Sequence, residues 1–289
     1  MKICILGSTG MLGHMLFSEL LRQGHEVFGT SRSPIRSEKL APRILSGVDA
    51  YDFTSVSDVL SRIRPAVVIN AIGLIRHLPE GKEHLPCIKI NAEFPHLLWR
   101  ECRRLGAKFI HYSTDCVFDG KAGRPYVETD RPTATDVYGM TKYLGEVAGE
   151  GALTVRTSIV GPELRGKHSL LEWFLAQNGV VRGFTGAIYT GLPTSEHARI
   201  LHEHILPRHE MCGLYHVAAM PISKYELLRI IAAVYEKNIK IVADDGVQED
   251  KRLSSSTFNN LTGYTPPDWT DLVKSMSIAH RRALSCWNK

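Results

Sequence analysis

Tyr138 and Lys142 stand four residues apart in Tyr138-Gly139-Met140-Thr141-Lys142, a spacing that places both side chains on one face of a helix. A tyrosine ordinarily titrates at roughly pH 10, too high for easy proton exchange near neutrality. A neighbouring ammonium favours the phenolate and lowers that value. The pair is therefore suited to giving or taking a proton at a carbonyl or an alcohol. The chain has ten tyrosines, and Tyr138 alone is followed by a lysine four residues later. Thr114 closes the run Tyr112-Ser113-Thr114-Asp115, after an apolar, strand-like stretch at Lys108–Ser113. A hydroxyl at the carboxyl end of a strand lies where open α/β sheets bind ligands. There it can hydrogen-bond a reacting carbonyl and the alkoxide formed from it. The bland alternative is a threonine that caps a loop.

Gly7-Ser8-Thr9-Gly10-Met11-Leu12-Gly13 carries a G-x-x-G-x-x-G spacing between a short apolar strand, Lys2–Leu6, and a helical pattern at Met11–Gln23. Glycines there let the backbone bend, let a pyrophosphate approach the exposed amides of a helix N-terminus, and let helix and strand pack closely. This is the context of a dinucleotide site, so Gly7, Thr9, Gly10, Met11, Leu12 and Gly13 are cofactor candidates. A site for NAD usually has an acid at the end of the second strand, to accept from the ribose 2′-hydroxyl. Here the sequence runs Gly29-Thr30-Ser31-Arg32. Arg32 is suited to pair with a 2′-phosphate, which predicts NADPH as the cofactor, with NADH as the alternative. Asp52 and Phe53 are candidates to flank the adenine. Asn70-Ala71-Ile72-Gly73 and Asn91 are candidates to line the cofactor, although Asn70 would serve equally to satisfy backbone groups at a strand end. Lys142 can hold the nicotinamide ribose, and the positive nicotinamide ring further favours the Tyr138 phenolate.

These residues need a scaffold, and the first half of the chain supplies the pattern of one. Strand-like segments are expected at Lys2–Leu6, His25–Gly29, Val48–Asp52, Ala66–Ile69, Lys108–Ser113 and Ala152–Thr157. Helices are expected at Met11–Gln23, from Thr54-Ser55 onward, at Pro95–Leu105 and at Asp136–Gly149. Ala66-Val67-Val68-Ile69 is a continuous apolar run, the mark of a strand buried on both faces. Repeated βα units predict an α/β fold with a Rossmann-like, doubly wound parallel sheet. After Gly161 the rhythm breaks. Residues 162–194 are rich in glycine and polar groups, with one amphipathic piece at Leu170–Leu175. Helices at Glu196–Ile205, Lys224–Tyr235 and Asp268–Ala283 follow, with strand-like pieces at Gly213–Ala218 and Ile239–Val242. Residues 1–160 are thus expected to form the dinucleotide-binding domain. Residues 161–289 are expected to form mainly a smaller substrate lobe, with some segments returning to the sheet.

Composition narrows the function classes. The 289 residues are 44% hydrophobic, enough for an ordinary core, and no apolar run approaches the roughly 18 residues of a membrane span. The N-terminus reads as a strand rather than a signal peptide. The six cysteines are scattered without a C-x-x-C pair, which disfavours a metal site and suits free thiols in a reducing cytoplasm. A net charge of +5 without long basic runs suits a phosphate-bearing small molecule as well as nucleic acid and decides nothing alone; no nucleic-acid partner is expected. A homodimer is left open.

Together, Gly7-x-x-Gly10-x-x-Gly13, Asn70-Ala71-Ile72-Gly73, Thr114 and Tyr138-x-x-x-Lys142 resemble an extended short-chain dehydrogenase/reductase. The run Tyr112-Ser-Thr-Asp-Cys-Val-Phe-Asp-Gly120 is more specific, followed as it is by Tyr126-x-Glu128-x-Asp130, Pro132 and Tyr138-Gly139. It resembles the dTDP-4-dehydrorhamnose reductases, as do Arg156-Thr157-Ser158 and Arg252-Leu-Ser-Ser-Ser256. The resemblance implies hydride transfer from NADPH to the 4-keto group of a nucleotide-linked 6-deoxyhexose, with Tyr138 as proton donor, for cell-surface polysaccharide sugars. Ile159 stands where that family often has tryptophan, and residues 162–194 match it poorly, so a UDP-linked 2-acetamido-6-deoxy-4-hexulose remains an alternative substrate. An epimerase or dehydratase on the same scaffold is a second alternative, although similar dehydratases carry Asp-Glu where this chain has Asp115-Cys116. A non-catalytic, nucleotide-binding regulatory subunit is a third. A nucleotide-sugar substrate carries two phosphates, and loops at the carboxyl ends of strands carry ligand contacts. Arg165 and Lys167 are therefore candidates for the substrate pyrophosphate, Trp173 for a pocket wall, and Arg252 for a further anion contact.

Overall fold

The computed structural model describes residues 1–75 and 79–287. Its first strand, β1 (Lys2–Leu6), shows how the sheet is wound. Ile3 and Ile5 enter one buried cluster, and Cys4 and Leu6 enter another on the opposite face. Apolar residues at successive positions are what a strand covered on both sides requires. Six further strands join it: β2 (Glu26–Ser31), β3 (Ile44–Ser46), β4 (Val67–Asn70), β5 (Lys108–Thr114), β6 (Ala152–Thr157) and, much later in the chain, β10 (Gly213–His216). Their order is β10-β6-β5-β4-β1-β2-β3, and every pairing is parallel. The strand order reverses between β1 and β4, which opens the crevice where such sheets bind ligands.

The helices cover both faces. α1 (Met11–Arg22) lies over the first cluster with α7 (Thr194–Ile200), α8 (Lys224–Val234) and α10 (Trp269–Trp287), which contribute Leu16, Ile200, Leu228 and Met276 to it. α2 (Phe53–Ile63) covers the second cluster with α4 (Phe94–Leu105), through Val56, Leu60, Phe94 and Leu98. α2 starts where the Asp52 side chain accepts from the Thr54 amide (3.1 Å), and α4 stops at Gly106 in a left-handed cap, φ 68°. A short turn, α3 (His84–Cys87), runs into α4 through a π-helical stretch at Ile88–Glu93. α5 (Val137–Leu144) is capped by Asp136, which accepts from the Gly139 amide (3.0 Å).

A second sheet stands outside the first. β8 (Val180–Tyr189) pairs in parallel with β12 (Lys240–Asp250) and antiparallel with β11 (Ile222–Ser223). A two-stranded pair, β7 (Ile159–Val160) with β9 (Leu192–Pro193), bridges the two sheets. α6 (Leu170–Ala176) and α9 (Ser256–Thr262) complete the order. Among the described residues, no helix is long and apolar enough to cross a membrane.

Four elements differ from the sequence reading. The third strand is Ile44–Ser46, not Val48–Asp52. It is a three-residue edge strand, and buried Val48 lies beyond it in a loop held by Val48 N to Ser31 O. The catalytic-candidate helix ends at Leu144 rather than Gly149, because the chain turns at Gly145 and again at Gly149. Residues 162–194, read as rich in glycine and polar groups with one amphipathic piece and no strand, contain the ten-residue β8. β12 extends to Asp250, well past Val242. It is an edge strand with mostly solvent-accessible residues, and its Asp244-Asp245-Gly246 segment, where the register shifts, hides it from a hydrophobicity pattern.

Candidate active site

The phosphate turn is built by close backbone contact. Gly13 sits so near the Gly7 carbonyl that any side chain there would run into it. The Gly10 amide donates to the Gly7 carbonyl (3.0 Å), closing the turn. Ser8 is tied down twice, its amide (3.1 Å) and its hydroxyl (2.9 Å) both donating to Thr30 O. Thr9 and Gly10 are exposed, Met11 is half-buried, and Leu12 turns into the core. No side chain caps α1 at Gly10, and no acid lies in its first turn. The first amides of a helix have no internal partner, and the helix dipole makes that end positive. The turn therefore fits a pyrophosphate.

The remaining cofactor candidates divide into two groups. Ser31 is buried, with its hydroxyl donating to Ser33 O (2.8 Å), and Arg32 emerges from that turn with an exposed side chain. The Gly7 backbone lies against Ala71 and Ile72, so the ends of β1 and β4 meet at the point where the strand order reverses. Gly73 lies beside both Asn91 and the Lys142 ammonium. The other four side chains hold the structure. Asp52 caps α2, and Phe53 packs edge-on to Phe94 at 6.2 Å. Asn70 pairs with His111 (3.1 Å) and accepts from the Ile72 amide (3.1 Å). Asn91 accepts from Leu74 N (2.9 Å) and donates to Leu74 O (3.0 Å), which clamps the loop carrying Gly73.

The Tyr138–Lys142 helix is pressed onto the carboxyl end of β5. Gly139 lies so close to the Cys116 carbonyl that a side chain there would clash, which brings its neighbour Tyr138 to the Thr114–Val117 corner. Lys142 is buried, and its Nζ donates to the Tyr112 carbonyl (2.7 Å). Burial lowers its pKa to about 8, with the Glu146 carboxylate opposing. Thr114 Oγ1 accepts from the Cys116 amide (3.1 Å) and donates to Asp115 Oδ1 (3.2 Å). Its proton thus has an acceptor already and must swing from Asp115 to meet a substrate carbonyl.

Beneath this helix lies a network that motif reading did not reveal. Glu146 takes a bidentate pair from Arg156 (2.6 and 2.7 Å) and a hydroxyl bond from Ser113 (2.7 Å), all in the interior. Arg156 also lies over the Phe118 ring at 5.2 Å. Its only signal was Arg156 itself, a charge inside an apolar strand.

The substrate candidates are scattered. Arg165 and Lys167 are exposed on the loop before α6, and Trp173 on α6 is 39% exposed. Arg252 is gripped by Asp250 in two bonds of 2.7 Å, and its backbone carbonyl accepts from the Tyr126 amide.

A chain with this fold has known relatives. The dTDP-4-dehydrorhamnose reductase of Streptomyces griseus is 35% identical over 145 residues, 50% of this chain and 43% of that protein. This chain spans about half the length of the curated relatives it matches. A solved structure of dTDP-4-dehydrorhamnose reductase from Bacillus anthracis in complex with NADP superposes with a TM-score of 0.80 at 20% identity, over 96% of this chain and 99% of that one. A hypothetical dTDP-4-dehydrorhamnose reductase from Sulfolobus tokodaii superposes at 0.76 with 28% identity, over 93% of this chain and 98% of that one. The family model of the RmlD substrate binding domain matches residues 1–280. The chain belongs to the RmlD substrate-binding-domain family.

Proposed function

We propose that the protein is an NADPH-dependent reductase of the 4-keto group of a nucleotide-linked 6-deoxyhexose. The observation that carries this reading is the seat of the Tyr138–Lys142 helix. A buried ammonium lies beside Gly73 at the end of β4, and Gly139, next to Tyr138, is pressed against the Cys116 carbonyl just past β5, which supports a phenol working at that end of the sheet. The relatives named as reductases support the same chemistry. When bound, the reduced nicotinamide supplies the hydride. The amides of Thr9, Met11, Leu12 and Gly13 receive the pyrophosphate, and Arg32 pairs with the 2′-phosphate. Lys142 holds the nicotinamide ribose and keeps positive charge beside Tyr138. Thr114 turns its hydroxyl proton from Asp115 to the keto oxygen, and Tyr138 delivers a proton to the same oxygen as it becomes an alcohol. In this reading residues 161–289 supply most of the substrate lobe, with β10 returning to the main sheet.

The direct test is oxidation of NADPH in the presence of dTDP- and UDP-linked 4-keto-6-deoxyhexoses. The reading stands if one of them is turned over with Tyr138 required, and falls if none is.

Two further results are expected. Arg32→Asp should shift the cofactor preference from NADPH toward NADH, since it replaces the cation for a 2′-phosphate with an acceptor for a 2′-hydroxyl. A wild type that prefers NADH, with a mutant that behaves the same, would remove Arg32 from the site. The double variant Arg165→Ala/Lys167→Ala should raise KM for the sugar nucleotide and leave KM for NADPH nearly unchanged, because the two pyrophosphates bind apart. Both constants at wild-type values would leave these exposed residues as solvated loop charges.

A further inference from the structure

The loop that follows β2 is basic. From Arg32 to Leu40 it carries three exposed cations, Arg32, Arg36 and Lys39, against one acid, Glu38. Among the described residues none of the three cations is in an ion pair. An exposed cation on a loose loop contributes little to binding, because pairing must first order both the side chain and the backbone beneath it. A loop that receives an anion gains by being fixed beforehand.

Three residues fix this one. Ile35 and Leu40 pack into the first core cluster. Between them Ser37 is fully buried. Its carbonyl accepts from the Leu40 (3.2 Å) and Ala41 (2.9 Å) amides, and its hydroxyl donates to the Cys286 carbonyl (2.8 Å) in the last turn of α10. The final carbonyls of a helix have no partner within it, so Ser37 satisfies one of them while tying its own loop down.

The same turn of α10 also reaches the phosphate turn. Trp287 Nε1 donates to Ser18 Oγ (2.9 Å), and Ser18 Oγ donates to the His14 carbonyl (2.8 Å) on α1. The Trp287 ring lies edge-on to Phe17 at 5.6 Å and to His14 at 6.2 Å. His14 Nδ1 donates in turn to the carbonyl of Gly10 (2.9 Å), the residue at which α1 begins. Neighbouring residues at the end of α10 thus join two segments far apart in sequence. One is the turn that fits a pyrophosphate, and the other is the cationic loop past β2. A cofactor without a 2′-phosphate has no use for the second.

We propose that Ser37 is a positioning residue for the 2′-phosphate. By fastening its loop to the last turn of α10, it holds Arg32 in place before the cofactor arrives and so sets the preference for NADPH over NADH. This rests on the proposed pairing of Arg32 with the 2′-phosphate.

The test is calorimetric binding of adenosine 2′,5′-bisphosphate and of AMP, which differ in the 2′-phosphate alone. The proteins are the wild type, Ser37→Ala, Arg32→Ala and the double variant. The wild type should bind the bisphosphate more tightly than AMP. Ser37→Ala should weaken the bisphosphate about threefold to tenfold, the ordinary worth of one neutral hydrogen bond, and AMP by less than about twofold. In the Arg32→Ala background the same substitution should cost less than about twofold for either ligand, because residues that act through one another are not additive. A purely structural serine would instead weaken both ligands alike, and that result overturns the proposal. So does a loss of bisphosphate affinity that survives in full without Arg32. A wild type that prefers the bisphosphate, with a Ser37→Ala variant that prefers it equally, sinks the inference alone. A wild type that binds the two ligands equally removes Arg32 from the 2′-phosphate, and the inference falls with that reading.

Discussion

Tyr138→Phe is expected to lower kcat by on the order of 10²–10⁴ while leaving NADPH affinity close to that of the wild type. The phenylalanine ring keeps the packing of α5 and removes only the acid. The phosphate turn lies on another element, at the start of α1. Lys142 stays on the Tyr112 carbonyl, so the ammonium proposed to hold the ribose stays in place. Stopped-flow hydride transfer should fall together with the steady-state rate, because the missing proton belongs to the chemical step. A Tyr138→Phe enzyme with near-normal turnover would move the acid elsewhere, and Asp115 would be the next group to test.

Arg156→Met should destabilise the protein by about 3–5 kcal/mol. The Arg156–Glu146 pair is deeply buried, with side-chain exposures of 2% and 8%, and both guanidinium bonds are short. Replacing the arginine leaves the Glu146 carboxylate in the interior with Ser113 as its remaining hydroxyl donor. It also removes the cation from the Phe118 face and the contact to His216 (3.4 Å). Urea unfolding of wild type and variant, compared at the same slope, measures the loss. A loss under about 1 kcal/mol would mean that water enters and solvates the carboxylate, and that the network does not anchor the Lys142 helix.

The sheet was legible because its strands are buried on both faces. Ile3–Leu6 and Val67–Ile69 are apolar without a break, as strands covered on both sides require. The phosphate turn was legible because a close approach such as that of Gly13 to Gly7 admits one residue type. The edge strands were harder to read. β3 is three residues long, and β12 carries aspartates toward solvent, so their pairing comes from neighbours rather than from pattern. The roles of Asn70 and Asn91 could be listed from sequence but not chosen. Whether an asparagine meets a ligand or a loop depends on what folds beside it, here His111 and Leu74.

The late return of β10 to the main sheet bears on how the chain must fold. β6 pairs with β5 on one side and finds its other partner only at Gly213–His216. A ribosome that has finished β6 has therefore made a strand of buried residues with one open edge. That edge stays open until residues 158–212 have emerged and folded outside the sheet. Open apolar edges recruit other chains, and long loops close slowly. A fragment ending near residue 160 would contain the whole phosphate turn and the Tyr138–Lys142 helix, yet carry a permanent sticky edge at β6. Aggregation, rather than weak cofactor binding, is what should limit such a fragment.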